Sequence, residues 1–146
     1  MPSYTEEFSE VHQMVQALHA DNRAIGVYNT GWAAAHTHHR FVVLLDVGEM
    51  AQGATVDFVL QEATDALGTN AANIAGKAIT QLTQAGGDGD DLIVMECRME
   101  EMTPGYDYVR GVLTIAGGAV ECALLGIGVV ARYVPVPTGT ITEIVH

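Results

Sequence analysis

Three histidines, His36, His38 and His39, stand within four positions in "WAAAHTHHR", residues 32–40. Imidazoles at that density raise zinc chemistry first. A zinc site needs three or four ligands converging at about 2.0–2.1 Å, each ring held by an outer partner. In an extended segment side chains alternate, so His36 and His38 share a face and His39 points away. Two ligands result, and a third has to come from an Asp or Glu on a neighbouring element. No His-Glu-x-x-His or His-x-Glu pattern accompanies them. The plainer reading is a polar loop entering the "RFVVLL" strand, and the expectation is architecture, with no metal and no cofactor.

Other candidate chemistry is weaker. "AGGDGDD" sets Asp88 and Asp90 in alternation, as a calcium loop does, but no Glu stands at the closing position, so it reads as a solvated turn. Cys97 and Cys122 are the only cysteines and lack CxxC spacing; they read as buried thiols packing as small apolar groups. Ser3 and Ser9 are the only serines, with no G-x-S-x-G elbow. Glu100 and Glu101 are adjacent, so on a strand they face opposite ways and cannot flank one bond. "GVLTIAGG" and "GIGVVA" lack the lysine and the strand-to-helix setting of a phosphate loop. No catalytic, cofactor-binding or metal residue is therefore assigned, and the chain reads as a non-enzyme.

The charge balance restricts partners. Six Lys and Arg against eighteen Asp and Glu give a formal net charge of −12, which leaves no basic patch for nucleic acid or an anionic membrane. The start, "MPSYTEEFSE", shows no basic-then-apolar leader, and the longest apolar runs, "VVLL" and "ALLGIGVVA", fall short of the ~20 residues that span a bilayer. A soluble protein assembled in the cytoplasm is the expectation. With 146 residues and 49% hydrophobic content the chain can bury a real core without disulfide or metal support.

The elements that would position these residues are mostly strands. Residues 1–22 are the exception: Phe8, Val11, Met14, Val15 and Leu18 recur at helical spacing, and Ser3 with Glu6 has the form of a capping box. A short amphipathic helix or arm is expected there. A single β-rich domain is expected over 23–146. "HRFVVLLDVGEM" is a dense β-branched run, and "GATVDFVLQEAT" alternates, with Val56, Phe58 and Leu60 on one face. "AGKAITQLTQ" reads as a further strand. In "DLIVMECRMEEM", Ile93, Met95, Cys97 and Met99 form the core face. "YDYVRGVLTIA" and "AVECALLGIGVVARYVP" read as two strands joined in a hairpin at Gly117-Gly118. Pro135 and Pro137 keep the tail out of a sheet interior. Six or seven strands at regular intervals with sixteen glycines give a mainly β fold, a β-sandwich or small barrel-like, jelly-roll or tulip-like domain.

The order of segments from 29 to 137 resembles a family of small tailed-bacteriophage virion proteins, the capsid decoration or cement proteins. Thr30-Gly31-Trp32, His39-Arg40, Val47-Gly48-Glu49-Met50, Gly53-Ala54-Thr55-Val56-Asp57, "QEATDALGT", "GKAITQLT" and Arg132-Tyr133 carry the likeness. It implies a virion structural protein on the capsid surface that binds the major capsid protein, assembles as a homotrimer and stabilises the shell without cofactor or catalysis. On that reading Trp32 is a core residue, with an interface anchor as the alternative. Two other functions remain: another phage structural component of the tail or head completion, and a carbohydrate-binding β-sandwich with Trp32, Tyr106 and Tyr108 as its stacking platform.

Overall fold

A computed structural model describes residues 8–132. Its elements are a single helical turn α1 (Phe8–Val11) and ten strands: β1 (Gln13–Arg23), β2 (Gly26–Asn29), β3 (Ala33–Ala34), β4 (His38–Met50), β5 (Thr55–Ala63), β6 (Ala72–Ala78), β7 (Leu82–Thr83), β8 (Leu92–Arg98), β9 (Tyr108–Ala116) and β10 (Val120–Ala131). They form two antiparallel sheets. One has four strands in the order β1-β10-β4-β8; the other has six, built on β2-β9-β5-β6 with β3 beside β9 and β7 beside β5.

The pairing is nested: β1 with β10, β2 with β9, β4 with β8, β5 with β6. This is the wrap of a jelly roll, a long antiparallel ribbon folded into two layers. The expected mainly β sandwich is therefore the fold. Strict alternation explains the core. On β5 Val56, Phe58 and Leu60 point inward, and on β9 Val109, Leu113 and Ile115 meet them. Phe41, Val43, Leu45 and Val47 of β4 and Leu124 of β10 close the core from the opposite sheet. Each such side chain contributes roughly 1.5–3 kcal/mol by leaving water.

Three expectations need correction. The helix over residues 1–22 is confined, among the described residues, to Phe8–Val11; Gln13–Arg23 is a strand on β10. Register shifts between Met14 and Gln16 and between Leu18 and Asp21 rephase the strand, so Val15 and Leu18 reach the core at a spacing that imitates a helix. Backbone pairing along the edge of β10 outweighs the weak helical stripe. The Ser3–Glu6 cap and the Pro135–Pro137 tail lie outside the described residues.

The second correction concerns Gly117-Gly118, which joins no hairpin: β9 and β10 belong to different sheets. The turn is a crossover running beside the β4–β5 crossover, tied to it by Ala51 N–H donating to Ala119 O at 2.9 Å. Gly117 has φ +73°, and a Cβ there would stand 2.0 Å from the Gly53 carbonyl oxygen, so only glycine permits the approach. Third, "AGKAITQLTQ" is not one strand. β6 ends at Ala78 after Gly76 (φ +74°) has broken its register, and pairing resumes only at Leu82–Thr83.

Candidate functional site

The histidines do not converge. His38 opens β4 and is 2% exposed, while His36 and His39 are exposed. A turn separates them, closed by His38 N–H donating to Ala35 O at 3.2 Å, and His36 stands edge-on to Tyr108 with centroids 6.3 Å apart. Among the described residues no three His, Cys, Asp or Glu side chains group as metal ligands.

His38 instead has a structural setting that the sequence did not reveal. Its Nδ1 shares a 2.9 Å hydrogen bond with the Thr37 hydroxyl, its Nε2 is buried without a partner, and the backbone of Gly128 lies against its ring. Burial pushes its pKa down, and the neighbouring His12 and His39 add to that direction. His12 is itself lowered by burial, against an opposing hydrogen bond with the Val11 backbone. The two residues, 26 positions apart in sequence, come within electrostatic reach because β1, which follows His12, and β4, which opens at His38, flank β10; no local pattern announces such a pair.

The remaining candidates have structural roles. Asp88 accepts from Thr83 N–H at 2.8 Å and organises the acidic turn. Cys97 and Cys122 are free and buried, as read from the sequence; burial raises Cys97 to about 11 and also raises Cys122. Glu101 accepts from Lys77 Nζ at 3.0 Å and from the Arg98 backbone N–H at 2.7 Å, whereas Glu100 stays at the surface beside Arg98. Buried Glu62 accepts from both the backbone and the hydroxyl of Thr103, holding the 102–107 loop to β5.

Trp32 is not a core residue. It is half-buried, with the Arg110 guanidinium 4.5 Å from its ring and Gly68 so close that a Cβ there would lie 2.5 Å from Nε1. The stacking platform does not form either, because Tyr106 precedes β9 and packs on the core while Tyr108 faces His36.

The distinctive surface is a sheet face. A sandwich in water carries polar side chains on both outer faces. The six-stranded sheet is mixed, with Thr55, Asp57 and Gln61 of β5 and Arg110 and Thr114 of β9 facing out beside Val59, its partner Val112, and Val27 of β2. On the four-stranded sheet the register aligns Val42 with Ile127, Leu44 with Leu125 and Val94, and Asp46 with Ala123 and Leu92. These positions alternate with the core set, so they form the outer face, on which Ile127 is covered and Glu96 stands across from Val42. Leu92 is 66% exposed, Val94 55% and Leu125 44%. One end of this face bears Arg40 directly across from Arg98, with Glu96 and Glu100 beside them, and the other is a pocket of ≈ 380 Å³ lined by Asp21, Asp46 and Glu121 over Gly48.

No protein-family model matches the chain, and no curated protein sequence matches it.

Proposed function

We propose that this chain is a virion structural protein, a decoration protein that covers the outer surface of a tailed-phage head, contacts the major capsid protein and stabilises the shell in groups of three copies. The observation that carries the reading is the bare apolar face of the four-stranded sheet, with Leu92, Val94 and Leu125 in water. Contiguous apolar surface of this kind marks association with other protein. The segments of the family likeness add the setting, since those before Arg132 fall on the strands and turns between β2 and the end of β10. The jelly-roll wrap is shared by viral capsid domains and by lectins, a fold-level analogy that agrees with the reading without selecting it. The mechanism is burial of apolar and backbone surface across several shell subunits, with modest contacts multiplied by avidity.

The test is copy number in purified particles, by quantitative mass spectrometry against the major capsid protein. A ratio near one to one is expected. A handful of copies per particle would move the chain to a tail or head-completion component, and absence from the particle would refute a virion role.

A further inference from the structure

We infer that Trp32, Arg110, Gln61 and Asn73 form a binding strip on the outer face of the six-stranded sheet for a sparsely charged saccharide of the hexuronate class. The strip lies on the sheet opposite the bare apolar face and goes beyond the proposed virion role.

The four residues stand in one row. Arg110 pairs with Gln61 and Gln61 with Asn73, and continuing the Ala33–Val109 register by one residue sets Trp32 across from Arg110. The row crosses three strand spacings, about 14 Å. Its polarity is fixed from the arginine. Arg110 can only donate, so its Nε–H takes Gln61 Oε1 at 2.9 Å, which turns Gln61 Nε2 toward Asn73 Oδ1, also at 2.9 Å. Asn73 Nδ2 is thereby left as a donor. The guanidinium lies 4.5 Å from the centroid of the Trp32 ring. It is held between indole and amide before any ligand arrives, so little side-chain entropy remains to be lost on binding. Beside the ring Gly68 has φ +83°, and a Cβ there would lie 2.5 Å from Trp32 Nε1; glycine keeps that edge of the indole uncovered.

What the row still offers is chiefly donors: the Arg110 Nη groups, Trp32 Nε1–H and Asn73 Nδ2. Arg40, Lys77 and Arg98 each pair with a glutamate, whereas among the described residues no carboxylate pairs with Arg110. The carboxylates of the same sheet and its loop are engaged elsewhere. Asp57 accepts from Gln81, Glu62 from Thr103, and Asp65 from the Leu67 and Thr69 backbone N–H groups.

A fixed guanidinium with free Nη groups matches a carboxylate through a bidentate fork. Net charge then selects among carboxylates. At −12 the chain repels polyanions before they reach the surface, which disfavours nucleic acid, sulfated chains and acidic peptide runs. A hexuronate brings one carboxylate to Arg110 and neutral hydroxyls that accept from Trp32 Nε1 and Asn73 Nδ2. Each site is weak alone, and many copies on one surface would multiply it by avidity.

The experiment uses Trp32, the chain's single tryptophan, as its own reporter. Its fluorescence and indole N–H resonance are followed while the full chain is titrated at neutral pH. The probes are the methyl glycosides of glucuronic and galacturonic acid, with methyl glucoside, acetate and N-acetyl-glutamic acid amide as comparisons. Saturable shifts with at least one uronate are expected, at least about ten-fold tighter than with any comparison. Arg110→Lys keeps the charge but loses the fork, and should weaken uronate binding at least about ten-fold. Arg98→Lys, on the other sheet, should leave it unchanged. No saturable shift with either uronate would overturn the inference, as would binding that Arg110→Lys leaves intact. Acetate or the glutamate amide matching the uronates would also overturn it, in favour of a contact for protein carboxylates. Particle copy number does not enter these readouts, so this inference and the virion reading fail independently.

Discussion

Mild acid should loosen this fold through two histidines before any carboxylate titrates. His38 is 2% exposed with Nε2 unpartnered, and His12, whose Nδ1 is also buried and unpartnered, lies near enough to disfavour its charge. Both have pKa values below the ordinary His value, chiefly by burial. The charged and titratable neighbours that act on His38 are His12 and His39, so no carboxylate stands ready to receive the proton. A depressed folded pKa means the unfolded chain binds protons first. The stability from neutral His is therefore complete above the unfolded pKa of about 6.5 and is lost as pH falls from there toward the folded value. At pH 5.5 the largest possible loss from buried His38 is RT ln 11, about 1.4 kcal/mol, and partly buried His12 adds less because its Val11 hydrogen bond opposes the shift. Carboxylates contribute little in that window. Asp65 and Glu101 also have lowered pKa values, from the hydrogen bonds of Thr69 and of the Arg98 backbone respectively, so their effect is lost only below about pH 4.5. The assay is urea unfolding at pH 7.5, 6.5 and 5.5 at fixed protein concentration, followed by Trp32 fluorescence and far-UV circular dichroism. His38→Gln should remove most of the slope, because His38 is the more deeply buried of the two. Stability that holds constant or rises between pH 7.5 and 5.5 would refute the reasoning.

Two further outcomes follow from the interior. Gln16 crosses between the sheets, its Nε2 donating to Gly31 O at 2.6 Å and Val109 O at 2.9 Å, so Gln16→Ala leaves two carbonyls without that donor; a loss of about 2–3 kcal/mol in urea unfolding is expected, and less than about 0.5 kcal/mol would contradict the bridge. Cys97 and Cys122 should resist thiol reagents at pH 8 in the native protein and react fully in denaturant, because burial raises both and holds Cys97 at about 11; rapid native labelling of either would show that the sandwich opens there.

What could be read from the sequence was what depends on local period. β5 was legible because polar and apolar residues alternate along it, and β4 and β8 because dense β-branched and aliphatic runs stop at turn residues. β1 was not, since its two register shifts move its apolar residues onto a helix-like spacing. Gly117-Gly118 announces a turn but not which sheet the next strand enters; that is decided by Gly53 packing under it from 64 positions away. Trp32 misled for a related reason. A large aromatic is an economical core residue, yet here the cation of Arg110 lies over its ring on the sheet's outer side. The thiols and the acidic turn were legible because their alternatives required partners at spacings the chain lacks. The apolar outer face was missed although its residues were in plain view: "HRFVVLLDVGEM" is continuously apolar from Phe41 to Leu45, and a strand bare on one side has no need of Val42 and Leu44.

That last signal has a physical consequence for how the protein associates. A sandwich can join other chains by adding strands at an edge or by covering a face. Edge addition is open-ended, because each added strand presents a new edge, and it leads to fibres. Face packing closes once the face is covered. In this chain register shifts distort β1 and the Lys77 ammonium occupies the Glu96 carbonyl of β8, while the face between them keeps Leu44, Val94 and Leu125. The sequence therefore disfavours the route that polymerises and leaves the face as the surface open to other protein.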